Sequence, residues 1–440
     1  MIALGLSSAS MSGPGTLVRS YAMPNVFVAR QPIFNRRLEV VGYELLARGG
    51  RAAEAFVASC DYATETVILD AVTGIALEQL VGSKTAWVNV ARRFVTDEPA
   101  RAVPAGLVGL EILDEGPVDD ELLAALRSLK RQGYELALDD FQYRPEAAPL
   151  LALVDVVKLD VVALGPDRLI EQLALVEPYR AATLAQRIDT RADHELCVAA
   201  GCDLLQGLFF CEPSRSRGSG VAADRLALLR LLAAAHDPAV ELGDLERLLS
   251  SDAALAARLL GYVNSSYFWL GGEVRSIGQA LALLGVEKLR PWAVLSVLAS
   301  IPDKPAELAV VALIRARFCQ RAGEALAIAS QGELFALGLF SVIDAVMDAS
   351  IQDVLASLAL GSDLGEALIE RRGPRGLLLD CLAALESGEL ERAEAIVSRA
   401  GELYVESLVW ASRAATKLFD APDLAPPGRV PDQRPQSQWS

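Results

Sequence analysis

Histidine is nearly absent from this chain, which has only two among its 440 residues, His194 and His236. A dinuclear metal centre built from histidine and aspartate needs several such ligands from separate helices, and two histidines cannot supply them. The pair His236-Asp237 precedes Pro238 and is interpreted as part of a turn between helices. The sequence therefore excludes a hydrolase that depends on a histidine-rich metal centre.

Cysteine and long apolar runs are also scarce. The six cysteines form no C-x-x-C pair, and we expect reduced, buried thiols rather than disulfides or zinc ligands. Apolar runs such as Leu308 to Ile314 are far shorter than the roughly 20 residues of a membrane-spanning helix. Residues 1–22 have no basic segment ahead of their apolar residues, so we expect a disordered leader and not a signal peptide. These features predict a cytoplasmic protein without membrane attachment.

Basic residues are also fewer than acidic ones. The chain carries 41 lysines and arginines against 57 aspartates and glutamates, which gives a net charge of −16 and a pI of about 4.8. General nucleic-acid binding depends on a basic surface that neutralises phosphates, so a nucleic-acid-binding regulator is the least favoured function. The length and a hydrophobic content of 52% allow two domains with large cores.

Apolar runs that stop at polar residues recur through the first half of the chain. The clearest is Leu136 to Phe141, in which an apolar run meets the adjacent carboxylates Asp139 and Asp140. Such runs are typical of buried parallel strands, and the segment Asp120 to Gln132, followed by Gly133, is predicted to be one of the helices between them. Strands that alternate with helices predict a parallel sheet closed into a barrel.

Polar side chains at the ends of these strands would meet at one mouth of the barrel, where α/β barrels carry their chemistry. Four of them offer oxygen ligands: Glu44, Asn89, Glu111 and Asp139. This set suits Mg²⁺ or Mn²⁺, and Lys158 beside it suits a phosphate oxygen. The alternative is that the acids form salt bridges with Lys158 and Arg48.

A series of short motifs occurs in a fixed order between residues 25 and 215. They are Gln31-Pro32-Ile33, Gly42-Tyr43-Glu44 with Arg48, Val88-Asn89-Val90, Glu111-Ile112-Leu113-Asp114, Asp139-Asp140-Phe141, Lys158-Leu159-Asp160, and Gln206-Gly207 with Pro213. In this order they resemble the motifs of EAL domains, the cyclic-di-GMP phosphodiesterases. The ordered set is more specific than any single motif.

This resemblance implies a barrel related to the TIM barrel, which binds a cyclic dinucleotide and divalent metal ions. It implies metal binding by Glu44, Asn89, Glu111 and Asp139, substrate binding by Gln31, Arg48, Asp140 and Gln206, and a catalytic role for Lys158. Magnesium or manganese is the implied cofactor.

Three departures from the EAL pattern argue against catalysis. Gln186 stands where the family has a glutamate implicated in the base step, and an amide cannot accept a proton at neutral pH. Asp114 replaces a second glutamate with a shorter side chain, and Gln142 to Pro145 replaces a glycine-rich loop. We therefore expect the metal ligands to remain while the catalytic machinery around them is lost.

From Val221 onward the sequence predicts helices, because leucines recur at helical spacing, for example at positions 242, 245, 248 and 249. Either Ser251 or Asp252 is expected to cap the next helix. Asp252, Arg258-Leu259-Leu260, Asn264-Ser265 and Ala282-Leu283-Leu284-Gly285 resemble HDOD domains, helical relatives of the HD-type phosphohydrolases. The segment from Leu283 to Arg290 also fits a helix-turn-helix turn, but packing inside the bundle is preferred. Because His236 is the only histidine in this part, it lacks the ligands of a dinuclear HD site and is expected to be a binding module.

The predicted fold is α/β plus all-α, with a TIM-like EAL barrel followed by an all-helical HDOD domain. The expected boundaries are a leader at 1–22, the barrel at 23–214, a linker at 215–222, the helical domain at 223–420 and a disordered Pro-rich tail at 421–440.

The favoured function is that of a bacterial signal-transduction protein with a non-catalytic barrel, which either senses cyclic-di-GMP or serves as a protein-interaction scaffold. The HDOD domain would pass the signal to an unidentified protein partner, and a homodimer is compatible with this organisation. The alternatives are a weakly active, metal-dependent cyclic-di-GMP phosphodiesterase and a nucleic-acid-binding regulator. Resemblance of fold alone does not decide among them.

Overall fold

The structure is a computed structural model of the chain. It describes residues 26–49, 77–96, 105–113, 116–211, 233–234, 240–264, 274–298, 301, 304–328, 331–358 and 362–419. The predicted leader, linker and tail, together with Asp114 and His236, lie outside the described residues, as does the side chain of Arg48. The domain boundaries expected in those segments therefore stay predictions.

Eight strands close into a barrel in the first half of the chain. They are β1 (Val26–Asn35), β2 (Val40–Gly49), β3 (Thr85–Val90), β4 (Val108–Leu113), β5 (Glu135–Asp139), β6 (Val156–Asp160), β7 (Ala182–Gln186) and β8 (Leu204–Gln206). Strand β1 runs antiparallel to β2 and β8, and the other neighbours pair in parallel. The predicted α/β barrel is confirmed.

Helices lie between the strands along the chain. They are α1 (Leu77–Val81), α2 (Arg92–Thr96), α3 (Asp120–Arg131), α4 (Ala148–Leu151), α5 (Val161–Val176) and α6 (Arg191–Ala200). Helix α3 is the predicted one. It begins where Leu122 N donates to the Asp119 carboxylate at 3.0 Å, and Gly133 adopts a φ of 89° just after its end.

Side chains alternate between the two faces of each strand, so every second residue points into the barrel. These inward-facing residues form an apolar layer and, next to it, a polar layer. The apolar layer consists of Ile33, Trp87, Ala137, Val156, Ala182, Leu184 and Leu204. Gly109 makes room for the Trp87 ring, since a Cβ at this glycine would lie 2.5 Å from a ring carbon. Two positions beyond this layer, β3, β5, β6, β7 and β8 each carry a polar residue. The alternation therefore delivers polar side chains to one mouth.

The second half of the described chain is helical. Its helices are α7 (Leu242–Ser250), α8 (Ala253–Val263), α9 (Ile277–Leu298), α10 (Ala306–Ala325), α11 (Gln331–Phe340), α12 (Ile343–Met347), α13 (Ile351–Leu358), α14 (Ser362–Glu370), α15 (Gly373–Glu386), α16 (Leu390–Ile396) and α17 (Ala400–Phe419). Asp252 caps α8 by accepting a hydrogen bond from Leu255 N at 3.1 Å. Helix α9 is interrupted at Gly285 (φ 65°, ψ 165°), and Leu284 and Leu289 on either side are buried. This burial agrees with packing inside the bundle.

Among the described helices, none has the length and apolar character required to cross a membrane. The cysteines in the described part are all free thiols, namely Cys197, Cys202, Cys211, Cys319 and Cys381.

Candidate ligand site at the barrel mouth

Three predicted acids meet at the barrel mouth, around the ammonium of a fourth predicted site residue, Lys158. Its Nζ lies 2.8 Å from Glu44 Oε2, 2.7 Å from Glu111 Oε2 and 3.2 Å from Asp139 Oδ1. The Lys158 side chain is only 1% exposed, and that of Glu111 is fully buried. The three acids thus surround an ammonium, as the salt-bridge alternative expects for Lys158.

Three predicted amide side chains join this cluster. Asn89 Nδ2 donates to Glu44 Oε1 at 2.9 Å, and Gln206 Nε2 donates to Glu44 Oε2 at 2.6 Å. Gln206 Nε2 also donates to Gln31 Oε1 at 3.1 Å. Glu44 therefore connects residues from three other motifs, namely Asn89, Lys158 and Gln206.

Burial and charge act in opposite directions on the ionisable groups of this cluster. Burial alone would lower the pKa of the Lys158 ammonium, but the charges of Glu111, Glu44 and Asp139 outweigh it and raise that pKa. Burial would raise the pKa of Glu44, but the Lys158 charge and hydrogen bonds from Lys158, Gln206 and Asn89 lower it. The pKa of Glu111 is raised well above its usual range by burial and by the Glu44 charge, despite Lys158. Of these two glutamates, Glu111 is consequently the one with the higher pKa.

The predicted metal ligands Glu44, Asn89, Glu111 and Asp139 offer oxygens that suit a divalent ion, but the Lys158 ammonium lies among the three acids. Three buried oxygens around this cluster make no hydrogen bond, namely Asn89 Oδ1, Glu111 Oε1 and Gln206 Oε1, and Asp139 Oδ1 has only its 3.2 Å ion pair with Lys158. Oxygens of this kind suit Mg²⁺ or Mn²⁺. Within the described ranges, however, no group of three or more His, Cys, Asp or Glu side chains is arranged to hold a metal ion. The metal assignment of Glu44, Asn89, Glu111 and Asp139 therefore stays a prediction.

The rim of the mouth contains the remaining predicted residues, Gln186 and Asp140. Gln186 Nε2 donates to Asp140 Oδ1 at 2.6 Å, and Asp140 adopts a positive φ of 48°. Burial, followed by the charges of Asp139 and Asp160, raises the pKa of Asp140. An open cavity of about 230 Å³ lies beside this pair, lined by Asp140, Phe141, Gln142, Asp160, Ala163 and Leu164.

The structure adds Arg187 and Asp160 to the rim. Arg187 Nη1 donates to Asp160 Oδ2 at 2.7 Å, and the Arg187 side chain is 60% exposed. Asp160 lies two residues after Lys158, so strand alternation could have identified it. Arg187 follows the end of β7 with a φ of 62°, and no periodicity in the sequence predicts where such a side chain lies.

The altered loop after Asp140 is held in place. Tyr143 N donates to Gln172 Oε1 on α5 at 2.6 Å, and a short 3₁₀ helix follows at Pro145–Ala147. The loop that replaces the glycine-rich segment is therefore anchored to its neighbouring helix, and only Gln142 of the predicted segment lines the cavity.

Comparison with known proteins identifies the family to which the chain belongs. Residues 225–358 match the family model of the HDOD domain. The cyclic di-GMP phosphodiesterase CdgJ of Vibrio cholerae is 33% identical over 377 residues, which are 84% of this chain and 87% of that protein. The chain belongs to the EAL–HDOD family. A second relative, the uncharacterized protein YuxH of Bacillus subtilis, is 28% identical over 403 residues, which are 88% of this chain and 98% of that protein.

Two solved structures of EAL proteins each cover less than half of this chain. The PaMucR phosphodiesterase in complex with c-di-GMP is 19% identical, with a TM-score of 0.38, over 42% of this chain and 95% of that one. The Bacillus subtilis YkuI protein, with an EAL domain and in complex with c-di-GMP and calcium, is 20% identical, with a TM-score of 0.37, over 44% of this chain and 57% of that one.

As an EAL–HDOD protein, the chain is a signal-transduction protein in which the barrel is the EAL part and the helices carry the HDOD part. Among the described residues, seven from these EAL-like motifs meet at the barrel mouth: Gln31, Glu44, Asn89, Glu111, Asp139, Lys158 and Gln206. The matched HDOD segment ends with α13, so helices α14 to α17 lie beyond it.

Proposed function

We propose that this EAL–HDOD protein is a cyclic-di-GMP receptor, whose barrel binds the cyclic dinucleotide without hydrolysing it and whose HDOD part passes the bound state to a protein partner. The observation that carries the proposal is the Lys158 ammonium, buried among Glu44, Glu111 and Asp139 at 2.7–3.2 Å. A cation already compensates these acids, so a divalent ion at the same centre would have to displace an ammonium from three partners.

The rim supports loss of the hydrolytic step. Hydrolysis of a phosphodiester requires a base or a metal ion to activate the attacking water. Gln186 is an amide at the position of the expected base, and its NH₂ group is already engaged with Asp140 at 2.6 Å. An amide that donates to a neighbouring acid can orient a polar group, but it cannot remove a proton from water.

Ligand binding is supported by groups that remain able to recognise a phosphodiester. Arg187 lies on the rim with a largely exposed guanidinium, which suits the planar, bidentate contact that arginine makes with phosphate. The cavity beside Asp140 and Asp160 opens next to it. The relative CdgJ is named a cyclic di-GMP phosphodiesterase, which supports the same ligand class here.

The second candidate is a metal-dependent cyclic-di-GMP phosphodiesterase. It is favoured by the buried oxygens without hydrogen bonds on Asn89, Glu111 and Gln206. In this case Glu44, Asn89, Glu111 and Asp139 would hold Mg²⁺ or Mn²⁺, which would lower the pKa of an attacking water. Lys158 would then hold a phosphate oxygen with its ammonium.

Calorimetric titration of cyclic-di-GMP into the full chain tests the proposal, once in EDTA and once in Mg²⁺ or Mn²⁺. We expect saturable binding in both buffers. The variant Arg187→Gln should weaken binding about tenfold or more, because it removes a charged hydrogen-bond donor. Arg191→Gln is the matched control, since Arg191 pairs with Glu195 on α6 at 3.1 Å and should leave affinity unchanged. Binding that disappears in EDTA would favour the metal-dependent enzyme, and no binding in either buffer would leave only a scaffold role.

A further inference from the structure

A buried polar cluster connects the EAL barrel to the helical half. Arg30 of β1 forms a salt bridge with Glu307 of α10, with 3.1 Å between Nη2 and Oε1, and each side chain is 5% exposed. The Tyr43 hydroxyl of β2 donates to the other oxygen of Glu307 at 2.8 Å. Both oxygens of one helical carboxylate are thus used by two adjacent barrel strands.

The arginine of this cluster is held on several sides. Its Nη1 donates to the backbone carbonyl of Leu80, at the end of α1, and to Ser412 Oγ of α17 at 3.0 Å. Its guanidinium carbon lies 4.2 Å from the centre of the Tyr43 ring. Because Ser412 belongs to a helix beyond the matched HDOD segment, both that segment and the C-terminal helices contact β1.

The two barrel residues of this cluster immediately precede two residues of the ligand site. Arg30 is followed by Gln31, and Tyr43 is followed by Glu44. Consecutive side chains on a strand face opposite sides, so one member of each pair faces the helices while the next faces the barrel interior. Gln31 and Glu44 are also directly opposite each other in the β1–β2 register, and both contact Gln206 Nε2.

We propose that Glu307 is a positioning residue for the ligand site: through Tyr43 and Arg30 it fixes the β1–β2 pair, and thereby the side chains of Gln31 and Glu44. That this site takes cyclic-di-GMP rests on the proposed function above. A motion of α10 that withdraws the Glu307 carboxylate releases both strands together, and this weakens binding of the ligand. By thermodynamic linkage, ligand binding strengthens the contact with α10 by the same factor. The Glu307 carboxylate therefore couples α10 to the ligand site.

The variant Tyr43→Phe tests this directly, because it removes only the hydroxyl that reaches Glu307 and keeps the ring under Arg30. In the full chain we expect its dissociation constant for cyclic-di-GMP to rise threefold or more. Amide hydrogen exchange at Gln31 and Glu44 should become faster. In the wild type, ligand should slow exchange in α10 near Glu307, and this effect should be reduced in Tyr43→Phe.

The control is Asp348→Asn, which removes a buried ion pair of similar exposure that has both partners in the helical half. Lys304 Nζ lies 2.6 Å from Asp348 Oδ1, and the two side chains are 6% and 10% exposed. This variant should lower the melting temperature while leaving the dissociation constant and the exchange at Gln31 and Glu44 at wild-type values.

The outcomes separate the positioning role from simple stabilisation. If Tyr43→Phe lowers the melting temperature but leaves affinity and exchange at Gln31 and Glu44 unchanged, the proposal is overturned. If the wild type binds no cyclic-di-GMP, the proposed function fails, and amide exchange alone decides the positioning role. Faster exchange at Gln31 and Glu44 in Tyr43→Phe, but not in Asp348→Asn, would then support it, and equal exchange would overturn it.

Discussion

Single side chains at the barrel mouth differ in how their charges are compensated. Glu44 accepts hydrogen bonds from Lys158, Asn89 and Gln206. Glu111 accepts one hydrogen bond from Lys158 at Oε2, and its Oε1 accepts none. The stability of the whole group therefore depends on the Lys158 charge. Removing one partner of a buried ionic group leaves the others uncompensated, which costs more than the group contributes when complete.

Lys158→Met is expected to lower the free energy of unfolding by about 3–5 kcal/mol, because three buried acids lose their cation. Lys130→Met is the control, since the Lys130–Asp155 pair is 33% and 23% exposed and should cost at most ~1 kcal/mol. Urea denaturation followed by circular dichroism measures both. Millimolar Mg²⁺ should then raise the melting temperature of Lys158→Met more than that of the wild type. Equal losses of stability in the two variants would contradict this account of the mouth.

Gln186→Glu should not restore hydrolysis of cyclic-di-GMP beyond about tenfold over the wild type, although a single restored base can contribute roughly 10²–10⁴ in rate. The new carboxylate would face Asp140 across a contact that is now 2.6 Å, and two acids at this distance repel each other. The loop held by Gln172 would also be unchanged, and catalytic groups that act together are not repaired singly. Turnover in Mn²⁺ is the measurement, and a rise of a hundredfold or more would show that the loop is dispensable.

At the scale of strands and helices, the period of two along each strand explains both the packing and the site. Trp87 and Asn89 lie on the same face of β3, as do Val156 and Lys158 on β6, so each strand contributes first to the apolar layer and then to the mouth. The close approach of β4 to the Trp87 ring requires a residue without a side chain at position 109.

Gly109→Ala should destabilise the barrel by about 1–3 kcal/mol, because its Cβ would overlap the Trp87 ring at 2.5 Å in a packed interior. Gly243→Ala, in the first turn of α7, has nothing within 4 Å of the added Cβ and should be neutral or slightly stabilising. Thermal unfolding of both variants, with Trp fluorescence as a second probe, measures the difference. A Gly109→Ala protein as stable as Gly243→Ala would mean that the Trp87 ring has room to move.

The sequence predicts these elements well where one rule decides the outcome. An apolar run that ends in Asp139 and Asp140 predicts strand β5 and its polar end, and the segment Asp120 to Gln132, followed by Gly133, predicts α3. Periodicity gives the order of side chains along a strand, but not which groups a strand end meets in space. The pairing of Lys158 with three acids depends on the closure of the barrel, and the position of Arg187 depends on a left-handed backbone residue.

At the scale of the whole molecule, the contact between the halves was not predictable from motifs. Arg30 and Tyr43 lie inside or beside the EAL motifs. Nothing in their spacing indicates that they contact Glu307, which follows Tyr43 by 264 residues. The match to HDOD ends before α17, yet this helix contacts Arg30 through Ser412. Long-range polar contacts of this kind follow from the docking of complete domains and not from local pattern.

The central claim is that the barrel holds cyclic-di-GMP intact. The most direct measurement is to incubate the purified full chain with cyclic-di-GMP in Mn²⁺, recover the nucleotide over several hours, and identify it by chromatography and mass spectrometry. Glu44→Gln serves as the control for contaminating hydrolases, because it removes the acid that connects Lys158, Asn89 and Gln206. The account predicts that the recovered nucleotide stays cyclic and that wild type and Glu44→Gln give the same background. Linear dinucleotide formed over many turnovers by the wild type, and lost in Glu44→Gln, would contradict it.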